Sequence, residues 1–412
     1  MSANDMAATS SDTQQAGAQR EQEGAEQGWE FGPIIDADAH IDPPHHMWKD
    51  YLPAHLRELA PSIEEGEEHD FVVFEGNRRP LKMINNQAGK QGKDYKMFGK
   101  LSEMRAVWDP ATRLADMDTD HIDAAVLFGG GPLGTTNSDL YISSFQAYNR
   151  WLWDFCSANR KRLVPVGYLP MRDVNETLGL LRELAKLGFR NVNIPAFPQS
   201  GDGISSSASV KSIAAGQGSA LTGNPGGSKT YIDAEFDPFW AEIQNLDMTV
   251  TMHLGGRIPR FGDKKHFLPD LVMSKLAMAE PVAIFIYGAI FQRFPKLRLA
   301  IVESGVGWLS WMAEYMDATW ERQRFWVESP ITEKPSFFMD RNVFASFIHD
   351  REGVLNRNEA GGRNIMWSSD YPHSETSFPH SRDYIRRDFA GISVSEVKEV
   401  ICNRAKRLYG VV

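Results

Sequence analysis

The chain has 412 residues, a net charge of −10 and a hydrophobic content of 42%. This length suits one large barrel or two ordinary domains, and no apolar run reaches the roughly 18 residues of a membrane span. The negative charge argues against a nucleic-acid binder, and two cysteines argue against a disulfide framework, exclude a cysteine-rich metal site and fit a reducing cytoplasm.

The first 30 residues differ in composition from the rest of the chain. They are rich in Gln, Glu, Ala and Ser and have no apolar stretch of the kind that a secretory signal needs. We therefore predict a disordered tail over residues 1–30, followed by a single domain over residues 31–412.

Beyond the tail, strand-like and helix-like segments alternate. Eight apolar runs predict strands at 34–39, 124–128, 163–168, 191–194, 248–252, 297–302, 342–346 and 365–368. Apolar residues at helical spacing predict helices between several of them, including 174–187 and 235–246. This order indicates a (β/α)8 TIM barrel, with an open doubly wound sheet as the alternative. A dinucleotide-binding version is disfavoured because no Gly-x-Gly-x-x-Gly follows the first strand.

Two insertions lengthen the predicted barrel, one after strand one and one after strand four. Residues 41–112 contain a predicted hairpin, in which 71–74 leads through a turn at 76–77 to 81–83. Residues 197–230 are rich in Gly and Ser and have little periodicity, which is typical of a mobile or functional loop. Because both follow strands, we expect them to cap the active face and to determine substrate specificity.

Residue types that bind metals end four of the strand-like runs. Asp38 and His40 are two residues apart, so on a strand their side chains share one face. His253, Glu303 and Asp370 end three later runs, and active residues of TIM barrels lie at these strand ends. Five polar groups that converge at one barrel mouth need a shared partner. We therefore predict a metal site whose ligands suit Zn, Mn or Fe.

Each candidate also has a structural interpretation when it is taken alone. A strand-end aspartate often caps a helix or turn, and a lone histidine such as His253 is usually hydrogen-bonded within the structure. Asp36 is expected to hold a metal ligand by hydrogen bonding or to cap backbone groups.

His45 and His46 could line the mouth, with a solvated loop as the alternative. Arg257 and Arg260 could pair with a substrate carboxylate, with surface arginines as the alternative. His349, near the end of strand seven, is a candidate for a supporting residue outside the ligand set.

Several motifs give the chain a family resemblance. It resembles the amidohydrolase-related metal-dependent TIM-barrel proteins, which include aminocarboxymuconate semialdehyde decarboxylase and the resorcylate decarboxylases. The resemblance covers about residues 33–412 and rests on Asp38-x-His40, Asp237-Pro-x-Trp240, Phe291-x-Arg-Phe-Pro-Lys-Leu, Ser369-Asp-Tyr-Pro-His373 and Asn403-Arg-Ala-x-Arg-Leu-Tyr-Gly410. It implies a TIM barrel with Asp38, His40, His253 and Asp370 as metal ligands.

One position departs from the family's pattern. Hydrolytic and decarboxylating members carry a histidine at the end of strand six, where it positions a water or carries a proton, whereas this chain has Glu303. A glutamate can act as a general base or bridge two metals. His373 is then a candidate ligand for a second ion, with a turn residue as the alternative. Such a six-residue set resembles that of dinuclear Fe or Mn/Fe monooxygenases on this scaffold.

Three functions follow from these features. The sequence slightly favours a dinuclear Fe or Mn/Fe monooxygenase for a small organic substrate, which needs a separate reductase because no flavin or Fe–S motif is present. The alternative is a mononuclear hydrolase or nonoxidative decarboxylase of a small carboxylate or amide, with Glu303 or Asp370 as the base and Zn as another metal. The third is a non-enzymatic barrel subunit. We expect a homo-oligomer or an oligomer with a related chain, and no nucleic-acid or membrane partner.

Overall fold

A computed structural model of the chain describes residues 28–199, 229–254, 261 and 264–411. Most of the predicted tail and most of the 197–230 insertion lie outside the described residues, and so do Arg257 and Arg260.

The described part of the chain begins with a packed segment. Trp29 is buried, its ring lies 5.0 Å from that of Phe31, and the guanidinium of Arg382 lies 5.0 Å from the Trp29 ring centroid. The packed domain therefore includes Trp29, slightly before the boundary that composition indicates.

Among the described residues the strands are β1 (Ile35–Ile41), β2 (Ser62–Glu64), β3 (Phe71–Phe74), β4 (Asn77–Pro80), β5 (Ala124–Gly129), β6 (Leu163–Pro165), β7 (Gly167–Tyr168), β8 (Asn191–Asn193), β9 (Thr249–His253), β10 (Arg298–Val302), β11 (Val343–Phe347) and β12 (Ile365–Trp367).

The α-helices of the same part of the chain are α1 (Met47–Tyr51), α2 (Pro110–Thr119), α3 (Ser138–Cys156), α4 (Val174–Leu187), α5 (Asp237–Asn245), α6 (Phe267–Leu276), α7 (Ala279–Tyr287), α8 (Ile290–Arg293), α9 (Gly307–Gln323), α10 (Pro335–Asn342), α11 (Arg351–Leu355), α12 (Ser381–Asp388), α13 (Val394–Lys398) and α14 (Arg404–Tyr409). A π-helical segment, Glu399–Asn403, joins the last two. None of these helices is long and apolar enough to cross a membrane.

The barrel strands are parallel and follow chain order. β1, β5 and β6 form one run of the wall, and β7 to β12 form the other. All eight predicted strands are confirmed, with β6 and β7 as two pieces of the third, and the predicted TIM barrel is the fold. The third strand is divided after Pro165, because β6 pairs with β5 and β7 pairs with β8.

The first and last strands meet at the mouth of the barrel. The N–H of Asp370 donates to the carbonyl of Asp38 at 3.0 Å, and the N–H of His40 donates to the carbonyl of Tyr371 at 2.5 Å. These bonds lie beyond the end of β12, so the residues that close the barrel wall are the predicted metal ligands and their neighbours.

The insertion after β1 forms a three-stranded antiparallel sheet, β2-β3-β4. The predicted hairpin is confirmed, but its second strand is β4 and not 81–83, and its turn is at 75–76 and not at 76–77. The sequence did not reveal β4 because Asn-Arg-Arg-Pro is polar and gives no alternating pattern. Glu75 and Gly76 form a two-residue turn with φ of 48° and 73°, as a type I′ hairpin requires. Farther along, the N–H groups of Gln87 and Ala88 donate to the carbonyl of Pro372. This contact places the insertion beside the loop after β12.

The helices that surround the wall follow the sequence pattern closely. α4 has the predicted bounds of 174–187, with Leu181 and Leu184 among its buried residues. The Asp173 side chain caps its N-terminus by accepting the N–H of Glu176, and Gly188 ends it with φ of 107°. The second predicted helix, 235–246, is confirmed as a short 3-10 turn followed by α5.

Candidate metal centre

Strand β1 carries three buried polar side chains, of which Asp38 and His40 face the barrel mouth. Asp36, Asp38 and His40 alternate with apolar residues, and every residue of the strand is buried. Burying three polar groups on one strand is costly unless each of them finds a partner. The partners of these groups come from the ends of the other strands.

The histidines and carboxylates at the strand ends converge within a few ångströms. His40 Nε2 lies 3.4 Å from Asp38 Oδ1 and 3.0 Å from Asp370 Oδ1. His253 Nε2 lies 3.3 Å from Asp38 Oδ1 and 3.5 Å from Glu303 Oε2. Five side chains that are separated by up to several hundred positions in sequence thus face one point at the barrel mouth.

The same convergence defines two overlapping groups of potential ligands. Within each group of four residues, one ligand atom from every residue lies within 4.8 Å of the others. The first group is Asp38, His40, His253 and Glu303, and the second group is His40, Glu303, Asp370 and His373. The structure therefore brings together all six residues that the sequence indicates.

Several polar atoms in this cluster make no well-aligned hydrogen bond, although some of them lie within ion-pair distance of each other. They are Asp38 Oδ2, His40 Nε2 and both carboxylate oxygens of Asp370, all of them buried. A buried polar atom that is left unsatisfied costs about 1–3 kcal/mol. Carboxylate oxygens and imidazole nitrogens are ligands for Mn, Fe and Zn, so a divalent cation fits this set and would satisfy these atoms.

Two of the carboxylates sit on strained backbone. Glu303 and Asp370 both have a φ of 57°, a left-handed conformation that is uncommon for residues other than glycine. The N–H of Glu303 donates to Ser346 Oγ at 3.1 Å, which helps to fix this conformation. Such strain costs on the order of 1–3 kcal/mol and clusters at functional sites.

The charges of the cluster shift the pKa values of its side chains. Burial by itself raises the pKa of Asp38, but the neighbouring His253 and His40 outweigh it and lower that pKa to about 2. For His40, burial lowers the pKa, but the carboxylates of Asp38 and Asp370 outweigh it and raise the pKa well above the usual range. Without a cation, His40 thus keeps a proton between two carboxylates, and a metal ion would have to displace that proton.

Glu303 has a different environment from the other two carboxylates. Burial and the charge of Asp370 raise its pKa, although His253 and Lys275 oppose the shift. Its side chain is only 7% exposed. Glu303 is therefore the carboxyl group of the cluster that holds a proton most readily.

Lys275 is a site residue that the sequence does not reveal. It lies near the end of α6 and donates to Glu303 Oε1 and to Glu375 Oε2, at 2.9 Å each. Burial lowers the pKa of its ammonium, but the two glutamates outweigh it and raise the pKa above the usual range. A single lysine in a largely apolar helix has no spacing that marks it, so only the folded chain shows its position.

Hydrogen bonds from neighbouring buried residues hold the strand ends that carry the ligands. Asp36 accepts the N–H of Asp38 at 3.2 Å and the N–H of Ser369 at 2.9 Å, and it also accepts the Ser369 hydroxyl. Burial raises the pKa of Asp36 to about 7. The buried Arg113, which the sequence does not mark, donates to the carbonyl of His40 at 3.0 Å. These contacts fix the strand ends that carry Asp38, His40 and Asp370.

The weaker sequence candidates do not join the cluster. His349 Nδ1 lies 2.8 Å from Asp388 Oδ2, and His46 is exposed, with Nε2 3.9 Å from Asp50 Oδ2. His45 is partly buried, and this burial lowers its pKa. Neither ligand group contains any of these three histidines.

Comparison with known proteins gives a consistent result. A family model described as amidohydrolase matches residues 35–411. The chain is 23% identical over 274 residues to a 2-amino-3-carboxymuconate-6-semialdehyde decarboxylase from Dictyostelium discoideum, covering 64% of this chain and 67% of the relative. It is 23% identical over 321 residues to a gamma-resorcylate decarboxylase from Rhizobium sp., covering 72% of this chain and 86% of the relative.

A solved structure supports the fold. The chain superposes with a TM-score of 0.60 on a dihydroxybenzoic acid decarboxylase from Polaromonas sp. JS666, which was solved with bound manganese and the inhibitor 2-nitroresorcinol. The match covers 92% of this chain and 97% of the other at 16% identity. At that identity the similarity establishes a shared fold.

Proposed function

This chain belongs to the amidohydrolase family, a family of metal-dependent enzymes, and from that premise we propose that it is a nonoxidative decarboxylase of a small organic carboxylate. The observation that carries the proposal is the cluster of buried carboxylate and imidazole atoms that converge at the barrel mouth without well-aligned hydrogen bonds, on a chain whose curated relatives are named decarboxylases. The sequence alone slightly favours a monooxygenase. The relatives reverse that order and support the alternative.

We propose that Asp38, His40, His253 and Asp370 hold one divalent cation. Manganese is the first choice, because the ligands are hard or borderline and a structural neighbour carries manganese. When it is bound, the cation would act as a Lewis acid that polarises an oxygen of the substrate. The chain's own residues then have to orient the substrate, keep water out and supply a proton.

Decarboxylation sets a clear requirement for the site. The bond between the carboxylate carbon and its neighbour breaks, the electron pair stays on the neighbouring carbon, and carbon dioxide leaves. That carbon then takes up one proton, so no oxidant or reductant is consumed. The site must therefore contain one group that can deliver a proton next to the metal ligands.

Glu303 fits this requirement. One of its oxygens, Oε1, is held by Lys275, while Oε2 faces His253 at 3.5 Å and lies among the ligand atoms. It also stands where the family has a histidine that carries a proton or positions a water. We propose that Glu303 delivers the proton to the substrate carbon, with Lys275 fixing its orientation.

The insertion after β1 is the proposed source of substrate specificity. Its residues Gln87 and Ala88 donate to the carbonyl of Pro372, and the Tyr95 hydroxyl donates to the carbonyl of Ser374 at 3.0 Å. These contacts hold the insertion against the loop that carries His373. A substrate that reaches the cluster would pass this edge of the mouth.

The proposal is tested by loading the chain with Mn(II) and measuring carbon dioxide from a panel of carboxylates that includes 2,6-dihydroxybenzoate. We expect release without dioxygen for at least one compound, and loss of that release in Asp370→Asn. His349→Ala, which removes a histidine outside the cluster, serves as the matched control and should keep the activity. Equal release from the wild type and from Asp370→Asn would refute the proposal.

A dinuclear monooxygenase is the second candidate, and one observation favours it. His373 Nδ1 lies 3.0 Å from Asp370 Oδ1, and the His373 ring stacks on His40 at 3.8 Å, so the second group adds Asp370 and His373 to the two potential ligands that it shares with the first group. This function predicts dioxygen consumption by the Fe- or Mn/Fe-loaded chain with an external reductant. No consumption with any reductant would exclude it.

A further inference from the structure

The second ligand group raises the question of how many ions the site holds. It shares His40 and Glu303 with the first group and has the same spread of ligand atoms. By residue type alone, both groups could bind a divalent cation. The two groups differ in the contacts that the carboxylate oxygens of Glu303 already make.

Both oxygens of Glu303 have fixed neighbours. Oε1 accepts from Lys275 Nζ at 2.9 Å, and Oε2 faces His253, a member of the first group only, at 3.5 Å. A carboxylate that bridges two ions commonly turns one oxygen to each of them. In this chain one of the two oxygens, Oε1, is bound to an ammonium group.

Lys275 is itself held in place. Its side chain is 20% exposed, and its Nζ lies 2.9 Å from Glu375 Oε2 as well as from Glu303 Oε1. Its charge is therefore matched by two carboxylates at the mouth. A second divalent ion in the second group would share Glu303 with this positive charge and be repelled by it.

We propose that Lys275 limits this site to one metal ion, because its ammonium occupies Glu303 in place of a second cation. This inference rests on the proposed function in one respect, namely that the first ion is held by the residues assigned above. Without the ammonium, Glu303 and His373, which are not assigned to the first ion, would be free to bind a second ion beside it. The presence of Lys275 thus determines whether these six side chains bind one metal ion or two.

The test is the number of Mn(II) ions bound per chain at saturation, measured by equilibrium dialysis with metal analysis and by electron paramagnetic resonance. We expect one ion in the wild type and two in Lys275→Met, with a spin-coupled signal only in the variant. Lys275→Arg retains the cation and should bind one ion. Lys265→Met, which removes an exposed lysine ten residues earlier in the chain, is the control and should also bind one ion.

Two results would overturn the inference: a second ion in the wild type, or a single ion in Lys275→Met that has the wild-type unfolding profile. If Lys275→Met does not fold, Lys275→Gln is read by the same criterion. The inference and the proposed function fail in different ways. A one-ion wild type that releases no carbon dioxide contradicts the function alone, whereas a two-ion wild type that releases it contradicts the inference alone.

Discussion

Glu303 is the residue at which the chain differs most informatively from its family. If it delivers the proton, Glu303→Gln should lower kcat by about 10²–10⁴-fold, the usual contribution of a general acid or base. Glu303→His restores the family's residue and a group that can carry a proton, so its kcat should fall less. Steady-state kinetics at matched Mn(II) content checks both variants. Full turnover in Glu303→Gln would rule out the role.

A second prediction follows from the protonation of His40 and concerns the affinity of the site for metal. Because Asp38 and Asp370 raise its pKa, His40 carries a proton at any pH below that raised value, and a cation must displace it. The Kd for Mn(II) should therefore fall as pH rises, by about tenfold per pH unit if one proton is released. Calorimetry in buffers of different ionisation enthalpy counts the proton directly. A Kd that does not change with pH would contradict this account.

The site residues differ in how visible they are in the sequence. Asp38, His40, His253, Glu303 and Asp370 could be predicted because each follows an apolar run, and strand ends converge in a barrel. Lys275 and Arg113 could not, since they come from α6 and α2, whose side chains reach the mouth only through tertiary packing.

At the scale of elements, a buried carboxylate joins α2 to α12. Asp120, just after α2, accepts the N–H of Ser381 at 2.9 Å and its hydroxyl at 2.5 Å, and burial raises the pKa of Asp120 to about 7. This folded-state pKa lies above the ordinary 3.8. The stability that the protonated Asp120 carboxyl contributes is thus fully present below about pH 4 and is lost as pH rises toward about 7.

Asp120→Asn tests this effect, because the amide stays neutral and keeps an oxygen for the Ser381 N–H. We expect the free energy of unfolding of the wild type to decrease between about pH 4 and 7 relative to that of the variant. Urea unfolding in the presence of a chelator measures it. The same slope in both proteins would show that Asp120 does not titrate in this range.

The bounds of an element could be predicted where several sequence signals agreed. For α4, leucine spacing, an aspartate cap and a terminal glycine agree, so its limits follow from sequence. The bounds of β4 could not be predicted, because its sequence is polar. This strand is specified by the turn at Glu75 and Gly76 and by pairing with β3. Likewise, the break after Pro165 divides one predicted strand into two.

At the scale of the whole molecule, the metal centre lies where the barrel wall closes. The residues that link the first and last strands, Asp38 to Asp370 and His40 to Tyr371, include three proposed ligands. A bound ion would therefore stabilise the fold as well as the site. The oligomer that we expect from the sequence stays a prediction.

This coupling predicts a rise in Tm with Mn(II) concentration. An ion that binds only the folded state adds about 2.7 kcal/mol of stability at one hundred times its Kd. Asp370→Asn should lose most of this gain, because it removes one of the proposed ligands. Differential scanning calorimetry with and without Mn(II) makes the comparison, and an equal rise in Tm in both proteins would place the ion elsewhere.

The most direct test of the proposed chemistry is a simultaneous measurement of carbon dioxide formed and dioxygen consumed by the Mn(II)-loaded chain, with 2,6-dihydroxybenzoate and related carboxylates. A nonoxidative decarboxylase releases carbon dioxide at the same rate with or without dioxygen and consumes none. Turnover that requires dioxygen and an external reductant, with no carbon dioxide released under anaerobic conditions, would contradict the account and support the dinuclear alternative.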